Sequence, residues 1–253
     1  MKKRVVSMEL LRIIAMMMVV MLHYLGKGKL LDPLTGEISV NGYVAWILES
    51  FSIVAVNVYM LISGYFLVNS RFRIFRVIEL ICQVLFYTIL VEAVLVALGF
   101  VEKDVLTLNR LLEIVFPLQM EHYWFISAYI IMYLFSPILS TAVQHMEQKQ
   151  LRNTILLLLI FFSLSKSVLP VQLMIDRKGY DCIWFICVFL VAAYIRLYGL
   201  SFFEKGKYRG WICYVAGILG IIAVTLVVRF IYLKTGSLDH FVGSAFHYNH
   251  IFN

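Results

Sequence analysis

Glu9, Arg12 and His23 are the residues with the most evident chemical potential, because all three stand within one apolar stretch, MELLRIIAMMMVVMLHY, at residues 8–24. On an α-helix at 100° per residue, the steps from Arg12 to His23 return to within about 20° of the same face, and Glu9 lies about 60° from Arg12. All three are therefore expected to point inward together. An imidazole takes or gives a proton near neutral pH, a guanidinium holds a phosphate or a developing negative charge, and a carboxylate orients that guanidinium. Arg12 and His23 are separated by about 16 Å along such a helix, so they serve different ends of a long substrate or different stages of a reaction. A second reading stays open. A charge at the centre of a membrane helix costs about 2.5–3.5 kcal/mol, which the apolar run 13–22 offsets at about 0.3–0.6 kcal/mol per residue. A membrane anchor with a snorkelling Arg12 paired to Glu9 meets that requirement without any chemistry.

The elements that position these groups are membrane helices. The chain has 253 residues, 62% of them hydrophobic and only 15% charged, with a mean hydropathy of +0.88. Soluble domains carry about a quarter of charged residues, so the composition specifies an all-α, polytopic transmembrane bundle. Seven apolar spans follow, at about 6–26, 43–68, 74–100, 122–143, 153–171, 182–199 and 210–233, and residues 244–253 read as the start of an eighth. The formal charge of +7 sits in short loops, which indicates membrane topology and excludes a nucleic-acid partner. Lys2, Lys3, Arg4, Arg71, Arg73, Arg76, Lys149, Arg152, Arg196, Lys205, Lys207 and Arg209 fall on one side. The opposite loops are balanced: Lys27, Lys29, Asp32 and Glu37, then Glu102, Lys103, Asp104, Arg110 and Glu113, then Asp176, Arg177, Lys178 and Asp181. The expected orientation is N-terminus cytoplasmic, with the first span retained as a helix of the bundle. Cys82, Cys182, Cys187 and Cys213 show no metal-ligand or CxxC spacing and read as packing residues, so no metal is expected. Gly-rich phosphate loops, GxSxG and HExxH are missing from the sequence.

Further along, the second span carries NVYMLISGYFL at residues 57–67, whose Ser63-Gly64 pair permits close helix approach. It is followed by the basic cluster of Arg71, Arg73 and Arg76, suited both to a cytoplasmic loop and to phosphate contact. In the third span Glu79 and Gln83 share a face at i,i+4, whereas Glu92 lies on another and needs its own partner. The fourth span opens with HYWFISAY at residues 122–129, then Tyr133 and Pro137, a pattern that fits an interfacial aromatic belt. The Trp184-Phe185 pair reads as interfacial as well, and Arg229 as a snorkelling cation.

Three of these stretches, in this order, resemble the acyltransferase 3 family of membrane O-acyltransferases: Arg12 and His23 with Glu9 ahead of them, residues 57–67, and Trp124-Phe125 followed by Tyr133-x3-Pro137. Tyr59 and Met60 depart from a pattern that more often has Phe. The resemblance implies a single membrane-embedded domain over 1–253 that lacks the C-terminal helices of an architecture of about ten. It also implies transfer of an acyl group, usually acetyl, from cytoplasmic acyl-CoA to a hydroxyl of a cell-surface or lipid-linked glycan at the cell membrane. Acyl-CoA is then a cosubstrate and no cofactor is permanently bound. The implied roles are catalytic for His23, Arg12 and Glu9, acyl-CoA-binding for Arg71, Arg73 and Arg76, and substrate-binding for Ser63, Tyr65, His122 and Trp124. Alternatives left open are a carrier for an amino acid or other small solute on the same fold, an inactive fragment, and a homo-oligomer that supplies further helices.

Overall fold

The computed structural model describes residues 6–100, 107–116, 123–169 and 177–253. His122 lies outside the described residues, as do Lys2, Lys3, Arg4, Glu102, Lys103, Asp104 and Asp176. The described residues form an all-α bundle: α1 Val6–Lys27, α2 Val40–Ser52, α3 Ala55–Leu67, α4 Ile74–Ala97, α5 Leu108–Val115, α6 Trp124–His145, α7 Gln148–Leu159, α8 Ser165–Val168, α9 Cys182–Tyr198, α10 Ser201–Glu204 and α11 Arg209–Thr235. A π-helical turn, Ile160–Leu164, joins α7 to α8. Among the described residues six candidate spans have the length and hydropathy to cross a membrane: α1, Val40–Leu67, α4, α6, Gln148–Val168 and α11. The remaining expected span is α9, apolar but only 17 residues long.

Helix α9 is the centre of the bundle. Trp184, Phe185, Cys187, Val188, Phe189, Ala192 and Ala193 are all buried, and α9 packs on α3, α6 and α7. The α3 contact is close because of Gly64: a Cβ there would stand 2.8 Å from the Ala192 Cβ and 3.2 Å from the Phe189 Cα. The small-residue notch in the second span thus has its partner in α9. The expected single helix over 43–68 breaks at Ile53 and Val54, between α2 and α3. Just before the break the Ser50 hydroxyl donates to the Trp46 carbonyl at 2.8 Å, a back-bond that bends helices.

Two expectations are corrected here. Trp184 and Phe185 are not interfacial: they are 6% and 0% exposed, and the Trp184 indole N–H donates to Asn57 Oδ1 at 2.9 Å. Residues 244–253 do not begin an α-helix: they follow the 3₁₀ turn Asp239–Phe241, open with a second, Ser244–Phe246, and fold back over the bundle. Tertiary hydrogen bonds hold them: Tyr248 N–H to the Lys178 carbonyl at 3.1 Å, Asn57 Nδ2 to the Tyr248 carbonyl at 2.8 Å, and Ile251 N–H to Ser167 Oγ at 2.9 Å.

Candidate active site

Residues alternate between two sides of α3. Tyr59 and Ser63 face one way, one turn apart, and Asn57 and Leu61 face another. On the Tyr59 side lies a cavity of about 390 Å³ walled by α3, α4 and α6. Helix α4 contributes Arg76, Glu79 and Gln83, which share a face at i, i+3 and i+7. Helix α6 contributes Phe125, Tyr129 and Tyr133 at four-residue spacing, with ring centroids 6.3 and 6.2 Å apart and planes 10° and 22° from parallel. The cavity extends about 10 Å along the bundle, from Arg76 and Tyr133 to Gln83 and Phe125. Its Arg76 end lies beside the basic loop.

Backbone contacts fix that end. Tyr133 is buried, and its hydroxyl accepts from the Arg73 N–H at 3.1 Å and donates to the Arg73 carbonyl at 3.2 Å. Gln144 Nε2 donates to the Val68 carbonyl at 2.9 Å. Helix α6 therefore sets where α4 begins and where Arg76 points. Arg71 and Arg73 are exposed on the loop itself and do not line the cavity.

Arg12 stands beside the same cavity. The Tyr59 hydroxyl donates to the Arg12 carbonyl at 3.0 Å, and both Arg12 and Arg76 are close enough to act electrostatically on Tyr129, which bonds Ser63. The Arg12 guanidinium donates to Glu9 Oε1 at 2.9 Å and lies 5.5 Å from the centroid of the Phe66 ring. Its side chain thus runs toward the basic end of the bundle, the geometry of a snorkelling arginine.

His23 is exposed, contrary to the expected inward orientation. The shared face of Arg12 and His23 lies about 60–80° around α1 from the buried Ala15, on the side away from the buried Leu25. It flanks the packing seam rather than entering the bundle. His23 Nδ1 donates to the Val19 carbonyl at 2.9 Å, which fixes the tautomer: the neutral ring presents the lone pair of Nε2 outward. The loop after His23 is clamped. The Ser39 hydroxyl and N–H both donate to Asp32 Oδ2, at 2.7 and 2.8 Å, and hold that carboxyl below its usual range. Arg229 does not snorkel freely; it donates to the carbonyls of Leu34 and Gly36 at 3.1 and 2.9 Å.

The other substrate-binding candidates stand apart. Tyr65 receives a hydrogen bond from Arg196 at 2.9 Å, with the guanidinium 4.7 Å from the ring centroid. Trp124 belongs to an aromatic cluster with Tyr180 and Tyr248, at centroid distances of 4.4 and 5.4 Å. The structure brings together Ser63 and Arg76, with Arg12 and its Glu9 beside them; Tyr65, Trp124 and His23 lie elsewhere. The sequence reading missed Tyr129 as a wall of the cavity and assigned no role to Glu79 or Gln83. The four-residue spacing of Phe125, Tyr129 and Tyr133 was the available signal.

The donor set has a definite chemistry. Guanidinium, phenol and hydroxyl groups suit an anion or a carbonyl oxygen, and the aromatic ladder suits an uncharged thread between them. Among the described residues no group of His, Cys, Asp and Glu is placed to hold a metal ion. No curated protein and no solved structure matches the chain significantly. The acyltransferase 3 family model, described as an acyltransferase domain, matches residues 5–252, so this membrane helix bundle belongs to the acyltransferase 3 family.

Proposed function

We propose that the chain is a multi-pass O-acyltransferase of the cell membrane, with its N-terminus in the cytoplasm, that moves an acyl group from acyl-CoA to a hydroxyl of a cell-surface or lipid-linked glycan. The observation that carries this reading is the convergence of Arg76 and Arg12 on one end of a cavity lined along its length by the rings of Phe125, Tyr129 and Tyr133. In this reading the phosphates of the donor sit at the basic end, against Arg76 and Arg12 and beside the exposed cations Arg71 and Arg73. The uncharged arm of the donor runs along Phe125, Tyr129 and Tyr133, past Ser63. Glu79, one turn on from Arg76 on the same wall, opposes phosphate there and confines it to the Arg76 end.

A glycan hydroxyl is a weak nucleophile, and the outward lone pair of His23 Nε2 takes its proton as the oxygen attacks the thioester carbonyl. The C–S bond breaks, CoA leaves as the thiolate, and the imidazolium returns the proton to the sulfur. His23 lies about 16 Å along α1 from Arg12, which places the phosphates and the reacting carbonyl at different depths of the bundle. Arg12 and Glu9 then position the donor, and Trp124 offers an aromatic face to the acceptor sugar. An acetyl group and a cell-envelope polysaccharide are the proposed acyl group and acceptor.

The test compares cells lacking the protein with cells carrying the chain or its His23→Ala variant at equal membrane abundance, by base-labile acyl ester on surface glycan. Removing a general base lowers ester formation by about 100-fold or more. Equal ester from His23→Ala contradicts the base assignment, and absence of ester from both favours solute transport on the same fold.

A further inference from the structure

The other side of α3 borders a second cavity, and its chemistry differs from that of the first. It measures about 400 Å³ and lies between α3, the α7–π–α8 stretch, α9 and the C-terminal segment. Among the described residues no Asp, Glu, Lys or Arg side chain lines it. Its polar residues gather at one end: Asn57, Ser163 and Trp184 on the three helical walls, with His250 and Asn253 from the C-terminal segment. From Ser163 back to Leu156 on one wall, and from Trp184 on to Val191 on another, the lining becomes wholly aliphatic over about 10 Å. Leu156 and Ile160 are also about half-exposed on the outer surface of the bundle, so the aliphatic end is continuous with the lipid-facing side.

The polar end contains unmet hydrogen-bonding capacity. His250 is 3% exposed, and its Nδ1 accepts from the Phe252 N–H at 3.5 Å, which leaves the proton on Nε2. Among the described residues that Nε2 has no partner, and neither does Asn253 Oδ1. By contrast, Asn57 and Trp184 satisfy one another and the Tyr248 carbonyl. A buried donor left unpaired is destabilising, and an incoming acceptor oxygen would recover that loss. Burial also lowers the His250 pKa to about 4, so the ring is a neutral donor at physiological pH. The wall at this point is the π-helical turn Ile160–Leu164, a wide turn of the kind found at functional sites.

We propose that this cavity is a binding site for one acyl chain of a membrane lipid, with the ester carbonyl of that chain at His250 and the methylenes running along Leu61, Val188 and Val191. The polarity gradient runs along the bundle axis, as it does along a lipid in its own leaflet. The described lining offers no Lys or Arg to the phosphates of the donor placed in the first cavity, so this site is independent of the acyl-transfer reading.

The experiment reconstitutes the full chain in phosphatidylcholine vesicles containing a phosphatidylcholine with a diazirine on one acyl chain, followed by photolysis and mapping of the adducts by mass spectrometry. The expected adducts include Leu61 and Val188, which face the cavity, in addition to lipid-exposed residues such as Leu219. Val191→Phe fills the aliphatic end and lowers labelling of Leu61 and Val188 about tenfold while labelling of Leu219 stays constant. Leu61→Phe, on the opposite wall, does the same to Val188 and gives an independent reading where Val191→Phe fails to fold. Adducts confined to lipid-exposed residues overturn the proposal, as does labelling of Val188 that neither substitution changes.

Discussion

The two cavities that flank α3 are similar in volume and opposite in character. One places Arg76 and Glu79 at the end beside the basic loop and is lined along its length by Phe125, Tyr129 and Tyr133. The other has no charged lining and becomes aliphatic away from its polar end at Asn57 and Trp184. Thirteen residues of α3 separate them, and its two faces are written in the sequence by alternate positions: Tyr59 and Ser63 against Asn57 and Leu61. The difference shows how a thin wall in a membrane bundle divides ligand chemistry. Among the described residues a phosphorylated group meets an arginine on one side, and a hydrocarbon chain meets no charged side chain on the other.

The strongest way to break this division is to move the wall. Gly64→Leu drives a side chain into Ala192 and the backbone at Phe189, so α3 must shift from α9 and both cavities change shape. The expected loss is about 3 kcal/mol, read as thermal unfolding in detergent, with loss of ester formation; a fully stable variant would show that α3 and α9 are not rigidly packed. A smaller effect sharpens the apolar side. His250 has a pKa of about 4 against an ordinary 6.5, so as pH falls the unfolded chain takes up the proton first. Its contribution to stability is complete above pH 6.5 and is lost progressively toward pH 4. The wild-type chain should lose about 2 kcal/mol more than His250→Gln between pH 8 and pH 5, and parallel pH profiles would place the imidazole in contact with water. The smallest effect sharpens the polar side. Tyr133→Phe keeps the ring ladder but removes both hydrogen bonds to the Arg73 backbone. A stability loss of about 1 kcal/mol is expected, with a several-fold rise in KM for the acyl donor and little change in kcat. A fall in kcat alone would mean that Tyr133 acts at the reacting atoms.

Much of the bundle is legible in the hydropathy, because a span needs only length and apolar composition. What hydropathy conceals is depth within the bundle. Helix α9 is apolar on every side, so no periodicity separates a central helix from one that faces lipid, and Trp184-Phe185 reads as interfacial although it lies in the core. The break at Ile53 has no proline or glycine to announce it and follows a serine back-bond instead. Within the candidate site, the basic cluster marks the end of the bundle at which Arg76 lines the cavity. Only the start of α4 at Ile74, however, separates Arg76, which enters the cavity, from Arg71 and Arg73, which stay outside. The common face of Arg12 and His23 follows from helix geometry alone, but its direction depends on which residues of α1 pack, and those are Ala15 and Leu25. The role of His250 depends on chain reversal, with the hydrogen bond from Asn57 to Tyr248 joining residues 191 apart in sequence.

The central claim is that the acyl donor uses one face of α3 and not the other. The direct measurement is equilibrium binding of acetyl-CoA to the purified chain in detergent, compared across wild type, Arg76→Ala and Val191→Phe. Loss of a charge-assisted contact to phosphate should weaken binding by Arg76→Ala about tenfold or more, while Val191→Phe binds as the wild type does. Unchanged affinity in Arg76→Ala, or a loss of affinity in Val191→Phe alone, would contradict the account.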